Sequence, residues 1–215
     1  MDFATFPYLE SIIAIAWIHF VAAVSPGPDF AMTMRNSLVY SRRTGVFSAI
    51  GTTCGMCVHL TYTIIALDYL SENAPNIVSI VKYVGSAYLV YIGYKSIRAK
   101  AHSKDEFDFT KSKEDLTPFE AFKLGFLTNA LNPFVIVLFL GILSNYINST
   151  TPWGVQMIYA LEILVITLAW FLCVALWFSH HKIRAFFNRL GHWLERITGG
   201  ILIGFGLRMA FLIGR

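Results

Sequence analysis

The sequence predicts an all-α membrane protein of six transmembrane helices, arranged as two inverted three-helix repeats, with spans one and four broken at proline. Three observations predict it. Of the 215 residues, 56 % are hydrophobic and only 14 % charged, where a soluble domain carries roughly 25 % charged residues. The apolar residues come in blocks of roughly 20, the length that crosses a hydrocarbon core of about 30 Å. Two of these blocks carry proline breaks, Ser25-Pro26-Gly27-Pro28-Asp29 in the first and Asn132-Pro133 in the fourth. The net charge of +4 falls in short loops between apolar blocks, which is a topology signal and not a nucleic-acid footprint.

Span one covers residues 9–39 and is interrupted at Ser25–Asp29. Two prolines three positions apart cannot share one straight helix, since each lacks an N–H and crowds the carbonyl one turn back. Asp29 is then expected where the backbone opens. Broken backbone at membrane depth is tolerated only inside protein or along a wet cavity, and an ionisable group there is by default a functional-site candidate. Span two covers residues 44–67, and its Gly51 and Gly55 have the GxxxG spacing that lets helices approach closely. Span three covers residues 75–97. The mixed-charge stretch 99–117 reads as a solvated linker. Span four covers residues 118–145, span five 153–178 and span six 197–213. The basic stretch 180–196 between the last two reads as an interfacial amphipathic segment. Met1-Asp2-Phe3 has no basic region and no cleavage site after it, so the first apolar block is expected to stay as a permanent span.

The loops after spans one, three and five hold nearly all the Lys and Arg outside the spans, and those after two and four hold none. The basic loops belong in the cytoplasm, with both termini outside. The chain reads as one transporter domain, 1–215, of halves 1–98 and 118–215 joined by the linker. Ala22-Ala23-Val24-Ser25-Pro26 aligns with Asn129-Ala130-Leu131-Asn132-Pro133, and Gly85-Ser86-Ala87-Tyr88-Leu89 is echoed loosely by Gly199-Gly200-Ile201-Leu202. An odd number of spans per half inverts the second half. Paired broken helices in inverted halves point to a transporter's binding site.

These residues resemble the LysE/RhtB amino-acid exporters. The likeness is carried by the run Phe20 to Asp29, with Asn36-Ser37-Leu38 and Arg42-Arg43-Thr44-Gly45 after it. Gly51, Gly55 and His59, Gly85 to Leu89, Gly125 to Pro133 and Gly204 to Arg208 extend it over almost the whole chain. Ser41 departs from the family, which usually has Gly there, and Phe134 stands where Lys or a small residue is commoner. The resemblance implies a bacterial inner-membrane protein that exports amino acids or their derivatives on the proton gradient, a transporter and not an enzyme.

With that substrate class in view, Pro26, Gly27, Pro28, Asp29, Asn129, Asn132 and Pro133 are the candidate substrate-binding residues. A carboxylate at Asp29 can hold an ammonium, take a proton, or alternate between them; it can also simply cap the inner half-helix. The half-helix N–H groups suit a substrate carboxylate. Asn129 and Asn132 can bond either end of an amino acid or fasten one helix to another. Glu162 is a proton relay or a snorkelling side chain, and His59 a relay or a helix-to-helix bond. His19 is a weaker candidate than either, and Arg35 guides substrate or anchors the helix to lipid. The sequence also has a rival feature, Cys54-Gly-Met-Cys57 beside His59. It leaves two alternatives, export of a soft divalent cation or a membrane thiol relay, though small packing residues on a Gly-rich helix are the simplest account. No cofactor and no resident metal are expected. The partners are an amino acid, protons and the bilayer, with no nucleic acid, and Gly51/Gly55 serves internal packing or a homo-oligomer.

Overall fold

Proline starts helices in this chain. The computed structural model describes residues 7–25, 27–98, 114–177 and 181–212, and every element among them is helical. They are α1 (Leu9–Val24), α2 (Pro28–Val39), α3 (Arg42–Asn73), α4 (Pro75–Ile97), α5 (Pro118–Ala130), α6 (Pro133–Leu143), α7 (Trp153–Trp177) and α8 (His181–Leu212). Pro28, Pro75, Pro118 and Pro133 all stand at helix starts, where the missing N–H has no intrahelical partner to lose and the fixed φ is already helical.

Spans one and four are therefore two helices each, bent by 54° between α1 and α2 and by 57° between α5 and α6. The first break runs from Ser25 to Gly27, with Pro26 outside the described residues. Asp29 thus lies in the first turn of α2 and not in opened backbone, because Pro28 restarts the helix one residue earlier. By length and composition α3, α4 and α7 can each cross a membrane, and so can each bent pair taken as one span. α8 is not among them, since its apolar part within the described residues, 197–212, falls just short of a full crossing. Residues 181–196 are continuous with that part in one helix; no proline or turn sequence separates them. Most of the 99–117 linker, residues 99–113, lies outside the described residues, as do 178–180.

Side chains close the helix ends. Ser41 caps α3 by accepting from the Thr44 N–H at 3.2 Å. Its hydroxyl also donates to Asp115 at 2.6 Å, as does the Thr44 hydroxyl at 2.5 Å. The end of the linker is thereby tied to the start of α3, which gives the departure from Gly at position 41 a structural purpose. These hydroxyls, Ser41 first and Thr44 next, hold the Asp115 carboxyl below its ordinary range. Thr117 and Glu120 form a capping box at α5.

Glycine decides which helices touch. A Cβ on Gly51 would lie 2.0 Å from the Phe122 carbonyl oxygen, and one on Gly125 would lie 2.1 Å from that of Ser48. A Cβ on Gly55 would meet Phe126 and Asn129. So the GxxxG face of α3 is consumed in packing against α5 inside one chain. Gly85 meets Gly141 where α4 crosses α6, and Gly93 meets Gly199 where α4 crosses α8.

The contacts also give directions. Gly51 with Phe122 and Gly55 with Phe126 make α3 and α5 parallel. Ser11 with Tyr159 and His19 with Thr167 make α1 and α7 parallel. Gly93 with Gly199 and Ser86 with Gly206 make α4 and α8 antiparallel. The second span of each half therefore lies along the first helix of the other. Ile15, Ile18, Leu60, Leu138, Phe139 and Ile163 join in the central apolar core, while Ile13, Trp17, Ile65, Ile80, Leu161 and Val165 are exposed outside it, as a lipid-facing surface requires.

Candidate functional site

The two breaks face each other. Gly27, at the N-cap of α2, is extended (φ −153°, ψ −175°), and no side chain caps that helix. Asp29, in the first turn, does not cap α2. Its Oδ2 accepts from Asn129 Nδ2 at 3.1 Å and from Asn132 Nδ2 at 3.2 Å. Asn129 closes the last turn of α5, and Asn132 caps α6 by accepting the Phe134 N–H at 3.1 Å. Residues 100 and 103 positions apart are thus brought to one carboxylate. Among the described residues no Lys, Arg or His forms an ion pair with it. Asp29 is 8 % exposed, Asn129 1 % and Asn132 6 %.

His59 supports the second break from α3. In an uninterrupted helix the Asn129 carbonyl would accept an N–H from position 133, where proline has none. His59 Nε2 and the Asn132 N–H supply it instead, each at 2.8 Å. A carbonyl only accepts, so Nε2 carries the proton, and in the neutral ring Nδ1 accepts from the Tyr62 hydroxyl at 2.9 Å. Both ring nitrogens are engaged, and His59 is fully buried. It is a helix-to-helix fastener in this arrangement.

Above the bonded carboxylate lies a cavity of about 50 Å³, room for a little water in this conformation. Asp29, Asn129, Asn132, Phe134, His19 and Thr167 are among its walls. His19, ranked below the other candidates by sequence, belongs to the site, and Phe134 lines it too. Thr167 carried no sequence signal, being one hydroxyl in an apolar helix. His19 Nε2 bonds its Oγ1 at 2.9 Å, while the Thr167 hydroxyl donates to the Ile163 carbonyl at 2.8 Å.

Glu162 is not part of this cavity. It lies five residues before Thr167 on α7, roughly 7.5 Å along the helix, with its Oε1 buried and unpartnered among the described residues. Arg35 is exposed on α2, over the Tyr40 ring. Pro26 is outside the described residues, and Pro133 serves as the first residue of α6. Cys54, Cys57 and His59 do not converge: Cys57 is exposed and His59 is buried on another face of α3. Among the described residues no three His, Cys, Asp or Glu side chains gather as metal ligands would.

Residues 20–212 match the family described as LysE type translocator. The chain belongs to that family. Among LysE translocator relatives, the threonine efflux protein of Salmonella typhi is 30 % identical over 205 residues, which cover 94 % of this chain and 98 % of that protein. The threonine efflux protein of Escherichia coli (strain K12) is 31 % identical over 206 residues, with the same 94 % and 98 % coverage. The leucine efflux protein of Salmonella choleraesuis (strain SC-B67) is 27 % identical over 205 residues, covering 91 % of this chain and 94 % of that one. No solved structure matches this LysE translocator.

Proposed function

We propose that this membrane protein exports a small amino acid or amino-acid derivative across the bacterial inner membrane in exchange for protons. One observation carries the proposal: Asp29 is buried where the two helix breaks meet and has two amide donors but no cationic partner among the described residues. A buried carboxylate without a counter-charge is costly. A proton relieves that cost, and so does a substrate ammonium, and one carboxylate cannot take both. This competition couples the two fluxes. The first turn of α2, a helix start with no side-chain cap, suits the substrate carboxylate. The relatives named as threonine and leucine efflux proteins support the substrate class.

Asp29 is the exchange group in this scheme. Glu162, with its unpartnered oxygen on α7, is the next station toward the outer face. His59 fixes Asn129 in place. Gly27, Pro28 and Pro133 set the helix starts, and Pro26 completes the first break in the chain sequence. The Phe134 ring narrows one wall and favours a small substrate.

We also propose six spans in two inverted halves, 1–98 and 118–215, with both termini periplasmic and the linker cytoplasmic. The reciprocal packing supports it. α3 lies parallel to α5 and α7 parallel to α1, while α4 and α8 are antiparallel. A two-fold axis in the membrane plane produces these relations. A reporter placed at Lys104 should read cytoplasm and one after Arg215 periplasm; a cytoplasmic C-terminus excludes the arrangement.

Export is tested in cells preloaded with dipeptides and screened across the amino acids. Efflux of at least one small amino acid should exceed that of cells without the protein, and a protonophore should abolish the excess. If no amino acid leaves faster, the substrate class is wrong. If the excess survives the protonophore, proton exchange is wrong.

A further inference from the structure

Three hydrogen-bond acceptors on residues that line the Asp29 cavity have no donor among the described residues. Asp29 Oδ1, Asn129 Oδ1 and His19 Nδ1 are all buried and unpartnered among the described residues, and all three residues line the same cavity. Each assignment follows from the atom beside it. Asn129 turns its Nδ2 to the carboxylate, which leaves Oδ1 as the free end of the amide. The Thr167 hydroxyl donates to the Ile163 carbonyl and so accepts from His19 Nε2–H; in the neutral ring Nδ1 is then a bare lone pair. The three side chains are 8 %, 1 % and 3 % exposed. An acceptor left unmatched at such depth is costly, and natural buried polar groups are matched.

From this we infer that the cavity is built for a primary ammonium group, with His19 Nδ1, Asn129 Oδ1 and Asp29 Oδ1 each accepting one of its three N–H donors. The inference rests on the amino-acid export proposed above and narrows it: substrates carry an unsubstituted amino group. An N-methyl amino acid has two N–H donors and leaves one acceptor unmatched. An N,N-dimethyl amino acid leaves two unmatched and adds carbon where the walls of a cavity of about 50 Å³ stand. His19 becomes a specificity-determining residue that touches substrate, and Thr167 positions it by fixing the tautomer.

The test uses the full-length protein in proteoliposomes loaded with labelled threonine or labelled leucine, with each parent amino acid and its N-methyl and N,N-dimethyl derivatives as inside competitors. The parent should compete at least about tenfold better than its N-methyl form, as one lost hydrogen bond to a charged group predicts, and the dimethyl form should not compete. His19→Leu should weaken the parent by about the same factor and leave the N-methyl form nearly unchanged, so that the preference shrinks toward one. Equal competition by parent and N-methyl forms in the wild type overturns the inference, whatever the variant does, while export itself stands. A His19→Leu protein that exports and keeps the full preference also overturns it. If neither labelled amino acid nor any other is exported, it is the proposed function that fails.

Discussion

Asp29→Asn should insert and accumulate like the wild type and lose proton-driven export. The substituted amide can keep its oxygen toward Asn129 Nδ2 and Asn132 Nδ2, so the bonds that join the two breaks at 3.1 and 3.2 Å survive. Its Nδ2 then stands in place of the unpartnered Oδ1 and offers a donor to a cavity short of donors. The fold loses nothing, because Asp29 does not cap α2; Gly27 holds that position. The site loses its negative charge and its titration. A hydrogen-bonded charge contact contributes about 1.5–3 kcal/mol, so the initial rate at sub-saturating substrate should fall by about 10- to 100-fold, and its pH dependence should vanish. Asp29→Glu should retain part of the activity at reduced rate, since the charge remains on a longer arm. Efflux from preloaded cells at matched membrane expression measures both. An Asp29→Asn protein that exports at the wild-type rate with the wild-type pH profile would move the exchange group elsewhere, with Glu162 first in line.

The second large effect is expected at a residue with no chemistry. Gly125→Val should prevent stable accumulation in the membrane, and Gly125→Ala should lower stability by about 1–3 kcal/mol, the range for overpacking a filled interior, or more. A Cβ at this position would sit 2.1 Å from the Ser48 carbonyl oxygen and 2.9 Å from the Thr52 nitrogen. Those are backbone atoms, so no side chain can swing aside; α5 must move off α3. Gly125 is also one turn before Asn129, on the same face of α5. Any separation of the two helices pulls Asn129 from Asp29 and from the His59 fastener. Export by Gly125→Ala should therefore fall further than its membrane yield does. Gly154→Ala is the control, since nothing lies within 4 Å of the added carbon there. Thermal unfolding of the detergent-purified proteins and membrane yield are the readouts. A Gly125→Val protein that melts with the Gly154→Ala control would show that this crossing tolerates bulk and does not hold the site.

By itself the sequence determined that this is an all-α membrane chain, where its helices are interrupted, and which residues stand at the interruptions. The reason is local. Blocks of apolar residues of crossing length and proline without an N–H act through their own backbone, so Asp29, Asn129 and Asn132 could be singled out without knowing what faces them. The family was legible for the same reason, its marks being short runs around those breaks. What the tertiary structure decided is everything that depends on partners. Whether Gly51 and Gly55 packed inward or outward depended on Gly125 of α5 offering a matching backbone surface. That His59 reaches the carbonyl left without a helix donor by Pro133 depended on folding, which places the two at 2.8 Å. Cys57 and His59, two residues apart in sequence, turn to different faces of one helix, so the apparent cluster dissolves. His19 and Thr167, 148 residues apart, meet because α1 lies parallel to α7. A hydrogen bond between distant helices leaves no periodicity in a single chain, and a buried acceptor without a donor can be recognised only once the packing that buries it is known.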